Sequence, residues 1–389
     1  MEQDILILGG GPAGLSTALH LAQFAPELLP RILVIEKAHY PRPKLCAGGL
    51  LADAEVILQR LGLDVCEVPH VDAESAHLDF AGRGLKISLP DTHALRIVRR
   101  DEFDNWLARK AAGRGIEIRE GVTVRDVQPY EDCVTVETDG GSFTAQVAVG
   151  ADGSNGVTRH CILPNAPVHT ARVLEVLTPP YPASKFHEHA GDAQNREKAA
   201  YFDFFCVPSG IAGYTWDFPT QLNGQPMRCW GVYDTNILAD LQRPALKQPL
   251  VEEMARNGFD LNEVELKGHP IRWFSPTNRM SVPRVVLVGD SAGADPIFGE
   301  GISIALGYGA LAARVIAESF RCGDFSFASY RSQVLESPLG RSLQVRWAIT
   351  QILYRLRWSW FQEFFWRVFK PVVALAAGVF VINWAKRMK

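Results

Sequence analysis

The chain has 389 residues, of which 47% are apolar and 21% charged, with a formal net charge of -3 and a pI near 6.4. That is an ordinary globular balance with ample material for a core. It excludes a nucleic-acid binder driven by bulk charge and leaves only a local basic patch open. Seven cysteines, an odd number without CxxC spacing, suit a reduced intracellular protein better than a disulfide scaffold or a zinc site. No signal peptide is expected ahead of the first strand.

Asp4–Leu8 is a short apolar run ending in glycines, which predicts a buried parallel strand. Leu15–Phe24 has helical apolar spacing, and Arg31–Glu36 reads as a second apolar strand. Together they form a β-α-β unit. Leu51–Leu61 and Asp101–Ala112 predict helices, and Ala76–Leu89 a hairpin around Gly82–Gly84. Val122–Val127, Cys133–Thr138 and Phe143–Val149 predict strands. From about Pro164 to Pro270, turn residues separate short aromatic strands. There Ala199–Val207 and Ala212–Phe218 read as a hairpin about Pro208-Ser209-Gly210. Val285–Val288 is a further buried strand, and a long helix is expected from Gly301 to Glu318.

The tail differs. Tyr354–Phe369 interleaves Trp358, Trp360, Phe361, Phe364, Phe365, Trp366 and Phe369 with Arg355, Arg357 and Arg367. Pro371–Trp384 is almost wholly apolar but shorter than the roughly 20 residues that span a bilayer. A helix at a membrane surface, a cover over a greasy pocket and a core or dimer helix all fit this pattern. The expected location is therefore cytoplasmic, with membrane association left open.

Gly9-Gly10-Gly11-Pro12-Ala13-Gly14 contains GxGxxG between the first strand and the first helix. Gly9 suits the tight turn, Gly11 lets backbone approach a pyrophosphate, and Gly14 lets the helix pack close to the strand. The helix N-terminus favours the negative charge. Glu36 ends the next strand, where a carboxylate accepts hydrogen bonds from ribose hydroxyls. Gly150-Ala151-Asp152-Gly153-Ser154 closes a later strand and Gly289-Asp290 another.

With these segments in order, the sequence resembles the FAD-dependent family that includes p-hydroxybenzoate hydroxylase and the geranylgeranyl reductases. The resemblance covers roughly Met1 to Phe320. It implies an α/β fold: a Rossmann-like FAD-binding domain (1–75, 96–163 and 276–330), an interleaved antiparallel-sheet substrate domain (76–95 and 164–275), and a helical C-terminal region (331–389). By the same resemblance Asp290 binds the ribityl chain, Asp152 and its neighbours approach the pyrophosphate region, and Arg100 lies near FAD. From the residues alone, Arg100 also reads as part of a surface salt bridge. Val124 joins the implied cofactor set. In Asp295-Pro296-Ile297-Phe298-Gly299-Glu300-Gly301-Ile302, Pro296, Gly299, Gly301 and Ile302 are implied to border the isoalloxazine. The helix start there would stabilise an anionic reduced flavin.

Two more segments are similar to the geranylgeranyl reductase branch. Pro43-Lys44-Leu45-Cys46-Ala47-Gly48-Gly49 matches its Lys-x-Cys-x-Gly-Gly loop, which implies that Lys44, Cys46, Ala47 and Gly48 lie near the flavin. Gly213-Tyr214-Thr215-Trp216-Asp217-Phe218-Pro219 matches its Tyr-x-Trp-x-Phe-Pro strand. On a strand, Tyr214, Trp216 and Phe218 share one face, which is either a wall over the flavin or plain sheet core. Cys46 either tunes the flavin face or is a small buried residue. The glycine that often follows Phe-Pro is replaced by Thr220, and the tail has no family counterpart.

The expected activity is FAD-dependent reduction of C=C bonds in an apolar, isoprenoid-like substrate. Cys46, Tyr214 and Trp216 are the candidate catalytic residues, and Tyr214 or bound water the candidate proton donor. A flavin monooxygenase acting on an aromatic substrate, small or protein-borne, is the alternative, since the fold supports both. A non-catalytic flavin-binding partner is the third reading. A flavin halogenase is disfavoured because Trp-x-Trp-x-Ile-Pro is absent. No second GxGxxG unit is present, so NAD(P)H would bind transiently, or a ferredoxin or quinone would supply electrons. No metal site, nucleic-acid partner or oligomeric state is indicated.

Overall fold

The computed structural model describes residues 2–89, 92–181, 196–238, 244–371 and 382–388. Most of the apolar run Pro371–Trp384 lies outside these residues. Glu2–Leu8 pairs in parallel with Ile32–Glu36 on one side and Gly141–Gly150 on the other, and Val285–Leu287 and Glu117–Glu120 extend the parallel sheet. Ile5 to Leu8 are all fully buried, which is why the strand reads as a continuous apolar run rather than an alternation. Ile5 and Ile7 pack toward the helices Pro12–Phe24, Arg100–Ala112 and Ile302–Cys322. Leu6 and Leu8 pack instead against the strands Val124–Pro129 and Val134–Thr138. The result is a layered α/β domain.

A second sheet has seven strands, in the order Lys267–Arg272, Thr170–Thr178, Gln225–Asp234, Gly213–Leu222, Ala199–Asp203, Ser75–Phe80, Arg83–Ser88. All neighbours are antiparallel except Ala199–Asp203 with Ser75–Phe80. The strands expected to form a hairpin about Pro208-Ser209-Gly210 do pair antiparallel, Ala199–Asp203 with Gly213–Leu222, and their connection is looser than a tight turn, with Val207–Ser209 forming a helical turn. The tight hairpin is Gly213–Leu222 with Gln225–Asp234, turning at Asn223-Gly224 with both residues at positive φ. Asn-Gly meets that demand. One face of this sheet is covered by the helix Lys247–Arg256, which packs Leu250 and Met254 on Trp230 and Val232. The other face carries Tyr214, Trp216, Phe218 and Tyr233. A small third sheet joins Gly49–Leu50, Leu95–Val98 and His70–Ala73.

The C-terminal helices are part of the core. Trp366 is buried and stacks on Phe204 at 4.0 Å, and the Tyr354 hydroxyl donates to the Ile297 carbonyl at 2.7 Å. Trp384 is fully buried, and the Asp53 carboxylate accepts from the Asn383 and Ala385 amides. Trp358 and Trp360 remain 59% and 66% exposed.

Candidate active site

A continuous cavity of about 1100 Å³ runs between the parallel sheet and the seven-stranded sheet, at the upper end of small-molecule pockets. Gly9, Gly11, Pro12, Ala13, Glu36, Lys44, Cys46, Ala47, Gly48, Arg100, Val124, Asp152, Tyr214, Trp216, Asp290, Gly299, Gly301 and Ile302 all line it. Three residues of the sequence reading do not. Gly14 packs the first helix onto its strand, where a Cβ would sit 2.0 Å from the Gly9 carbonyl oxygen. Gly289 lies against Ala13. The Pro296 carbonyl accepts from the Tyr233 hydroxyl at 3.1 Å.

The geometry of the lining follows from local backbone. Gly9 takes φ +116°, and a Cβ there would fall 2.4 Å from the Ala151 carbonyl oxygen, so the strand-to-helix turn tolerates only glycine. The following helix is capped by Gly11, which offers no side-chain acceptor, so its first N–H groups are available to an anion. Glu36 is buried, and its carboxylate accepts from the Gly10 amide at 2.9 Å and the Ala38 amide at 3.1 Å. The Tyr40 hydroxyl donates to the Gly10 carbonyl. Asp152 holds the loops together, accepting from the Thr158 amide at 2.8 Å and the Ser291 hydroxyl at 3.1 Å. The Ser154 hydroxyl donates to Asp290 at 3.0 Å.

On the Lys44–Gly48 loop, Lys44 Nζ lies 2.8 Å from His269 Nε2. Burial, then the Lys44 charge, pushes His269 down to about 4, so its neutral ring accepts from the ammonium. Burial raises the Cys46 thiol, with the Arg100 charge opposing. Arg100 forms a bidentate pair with the buried Asp104 at 2.8 and 2.9 Å. The Tyr214 hydroxyl donates to the Phe298 carbonyl, and burial holds its phenol well above the usual range.

Several lining residues were not singled out from the sequence: Arg42, Glu175, His269, Glu300 and Arg346. Arg42 bridges Glu36 at 3.4 Å and Asp104 at 3.2 Å. Burial pushes Glu175 up to about 7, opposed by the Arg99 charge and by the Cys46 N–H and Cys229 thiol that face it. Its one signal was a lone carboxylate beside the apolar Leu174, Val176 and Leu177 in the strand Thr170–Thr178. Arg346 had none, because it reaches the loop before Gly301 from a helix far along the chain.

The FAD binding domain family matches residues 2–323. The chain belongs to that family. It is an FAD-binding oxidoreductase, and the capped-by-glycine helix facing a buried Glu36 across the cavity lining suits the dinucleotide. Digeranylgeranylglycerophospholipid reductase 3 of Methanosphaera stadtmanae is 25% identical over 91% of this chain and 87% of its own. A flavin-dependent halogenase of Armillaria mellea is 26% identical over 91% of this chain and 77% of its own. In fold, a geranylgeranyl bacteriochlorophyll reductase-like protein of Thermoplasma acidophilum superposes with a TM-score of 0.79, at 19% identity and over 99% of this chain and 98% of its own. Among the described residues one helix, Ile302–Cys322, is long and apolar enough to cross a membrane, and it is mostly buried inside the protein.

Proposed function

We propose that this FAD-binding oxidoreductase reduces C=C bonds of an apolar, isoprenoid-like substrate. The observation that carries the reading is the continuity of one cavity from the glycine-rich turn to a greasy wall. Leu78, Ile87, Phe202, Phe218 and Ile271 line the same space as Gly11 and Glu36. The reductase relative supports the substrate class. The first helix N-terminus and Arg42 would hold the pyrophosphate, Glu36 the ribose, and Asp290 the ribityl chain. Gly299, Gly301 and Ile302 would border the pyrimidine edge, with Lys44, Cys46, Ala47, Gly48, Arg100, Val124 and Asp152 around the remainder. On this reading 1–75, 96–163 and 276–330 hold the cofactor, and 76–95 and 164–275 hold the substrate. When bound and reduced, the flavin supplies a hydride. The chain's own part is to orient the alkene, exclude water with Tyr214, Trp216 and Phe218, and deliver a proton.

The test uses photoreduced holoenzyme without oxygen. Reoxidation of the flavin by an isoprenoid, with a product two hydrogens heavier, is the expected result. Reoxidation only with oxygen, with a hydroxylated aromatic product, would favour the monooxygenase alternative, to which the halogenase relative lends support. NAD(P)H as a transient donor is checked by its rate of flavin reduction. The exposed Trp358, Trp360, Phe364 and Phe369, beside exposed Arg355 and Arg357, suit a membrane surface from which such a lipid would be drawn. Co-sedimentation with anionic vesicles, lost on Trp358→Ser with Trp360→Ser, is the outcome expected there.

A further inference from the structure

Reducing a C=C bond takes a hydride at one carbon and a proton at the other. Tyr214 is poorly placed to give that proton, because its hydroxyl is committed to the Phe298 carbonyl. Another acid stands on the same sheet face. Glu175 lies two residues beyond Val173, so both point into the cavity, which both line. The Glu175 residue is 5% exposed. Its register neighbours are Gly231 on one side and Lys267 on the other, and Gly231 is paired in turn with Trp216. A Cβ at Gly231 would fall 2.1 Å from the Trp216 ring. The glycine therefore leaves room for the indole to lie across the middle strand toward Glu175.

We propose, on the reading that the protein reduces an apolar C=C bond, that Glu175 is the acid that protonates the second alkene carbon. The Glu175 O–H bond breaks, a C–H bond forms on the carbon that did not receive the hydride, and the reduced flavin is the two-electron reductant. The carboxylate left behind takes a proton from water before the next turnover. The Cys46 N–H, the Cys229 thiol and the Arg99 and Lys267 cations that face Glu175 all favour its carboxylate, so the neutral acid is held by burial against them. Burial outweighs Arg99 and lifts the carboxyl to about 7, the range in which a general acid works best at neutral pH.

The experiment mixes anaerobic, photoreduced holoenzyme with geranylgeraniol in phosphatidylcholine vesicles, for the unmodified protein and for Glu175→Gln. Flavin reoxidation is expected to slow at least about 100-fold in the variant. The unmodified rate should fall as pH rises through about 7, and the variant rate should be flat. FAD affinity should stay within about threefold, since Glu175 is no ligand of the nucleotide. A second readout needs no turnover: infrared difference spectra of the two holoproteins should contain a protonated-carboxyl C=O stretch that titrates away near neutrality. Unmodified rate and pH profile in Glu175→Gln, or a carboxylate already ionised well below neutrality, overturns the proposal and leaves the reductase reading standing. Unmodified holoenzyme that geranylgeraniol does not reoxidise overturns both. Should Glu175→Gln fail to retain FAD, Glu175→Asp replaces it. Slowed turnover that still falls with pH supports the proposal, and unchanged turnover defeats it.

Discussion

Replacing Arg346 by methionine tests how the C-terminal helix Pro338–Leu353 supports the cavity. Arg346 is fully buried, 2.7 Å from Asp295 and 3.6 Å from Glu300. Asp295 also accepts from the Ile297 amide at 2.8 Å, and Glu300 from the Ser303 amide at 2.8 Å. Arg346→Met keeps the apolar stem and removes the charge, leaving two buried carboxyls uncompensated. Breaking a buried pair this way costs about 3–5 kcal/mol, a large part of a total near 5–15 kcal/mol. The pH dependence has a definite sign. Burial raises both carboxyls, Glu300 to about 7 from 4.5, with Arg346 opposing. An acid raised on folding binds more protons in the folded state, so its stability is fully present below 4.5 and is lost as pH rises through about 7. For Glu300 that loss is about 3 kcal/mol. In Arg346→Met both carboxyls rise further, so the decline grows and extends to higher pH. Urea unfolding of the holoprotein, followed by tryptophan fluorescence at about pH 5 and about pH 8, reads both effects. A variant within about 1 kcal/mol of the unmodified protein at the higher pH would refute the reasoning.

Glu36→Gln removes the charge that accepts from the Gly10 amide and pairs with Arg42. FAD affinity by flavin fluorescence should fall about tenfold to 100-fold, in line with a charge-assisted bond. Gly231→Val places a branched side chain where a Cβ already meets the Trp216 ring and the Leu174 carbonyl oxygen. Turnover of an isoprenoid should drop sharply while FAD binding persists, and equal losses in both would show that the wall is only scaffold. Trp366→Ala, which empties the space against Phe204, should cost about 3–5 kcal/mol in chemical unfolding. Trp358→Ala, at an exposed site, should stay within about 0.5 kcal/mol.

The nucleotide end was legible because its chemistry is local. Gly9, Gly11 and Glu36 belong to one strand-turn-helix-strand passage, and the backbone conformations they need are written in residue type. The tight hairpin was also written locally, as Asn223-Gly224, and the hairpin expected about Pro208-Ser209-Gly210 forms beside it with a longer connection. Both segments carry turn residues, and both join strands that pair antiparallel. In the tail, Trp366 and Trp358 look alike in sequence. One stacks on Phe204 and the other faces out, a difference that periodicity over so short and aromatic a stretch does not encode.

Sequence alone determined a dinucleotide site, which the family resemblance narrowed to FAD, the order of the glycine-rich segments, and the aromatic strand Tyr214-Thr215-Trp216-Asp217-Phe218. Each depends on short-range backbone geometry and on residue chemistry that survives any packing. Tertiary structure alone decided that Glu175 shares a cavity with Trp216 and Cys46, that Arg42 spans Glu36 and Asp104, and that Arg346 lies beneath Glu300. Those groups come from strands and helices distant in the chain. Their burial, and with it the raised carboxyls of Glu175 and Glu300, exists only once the sheets and the C-terminal helices have closed around them.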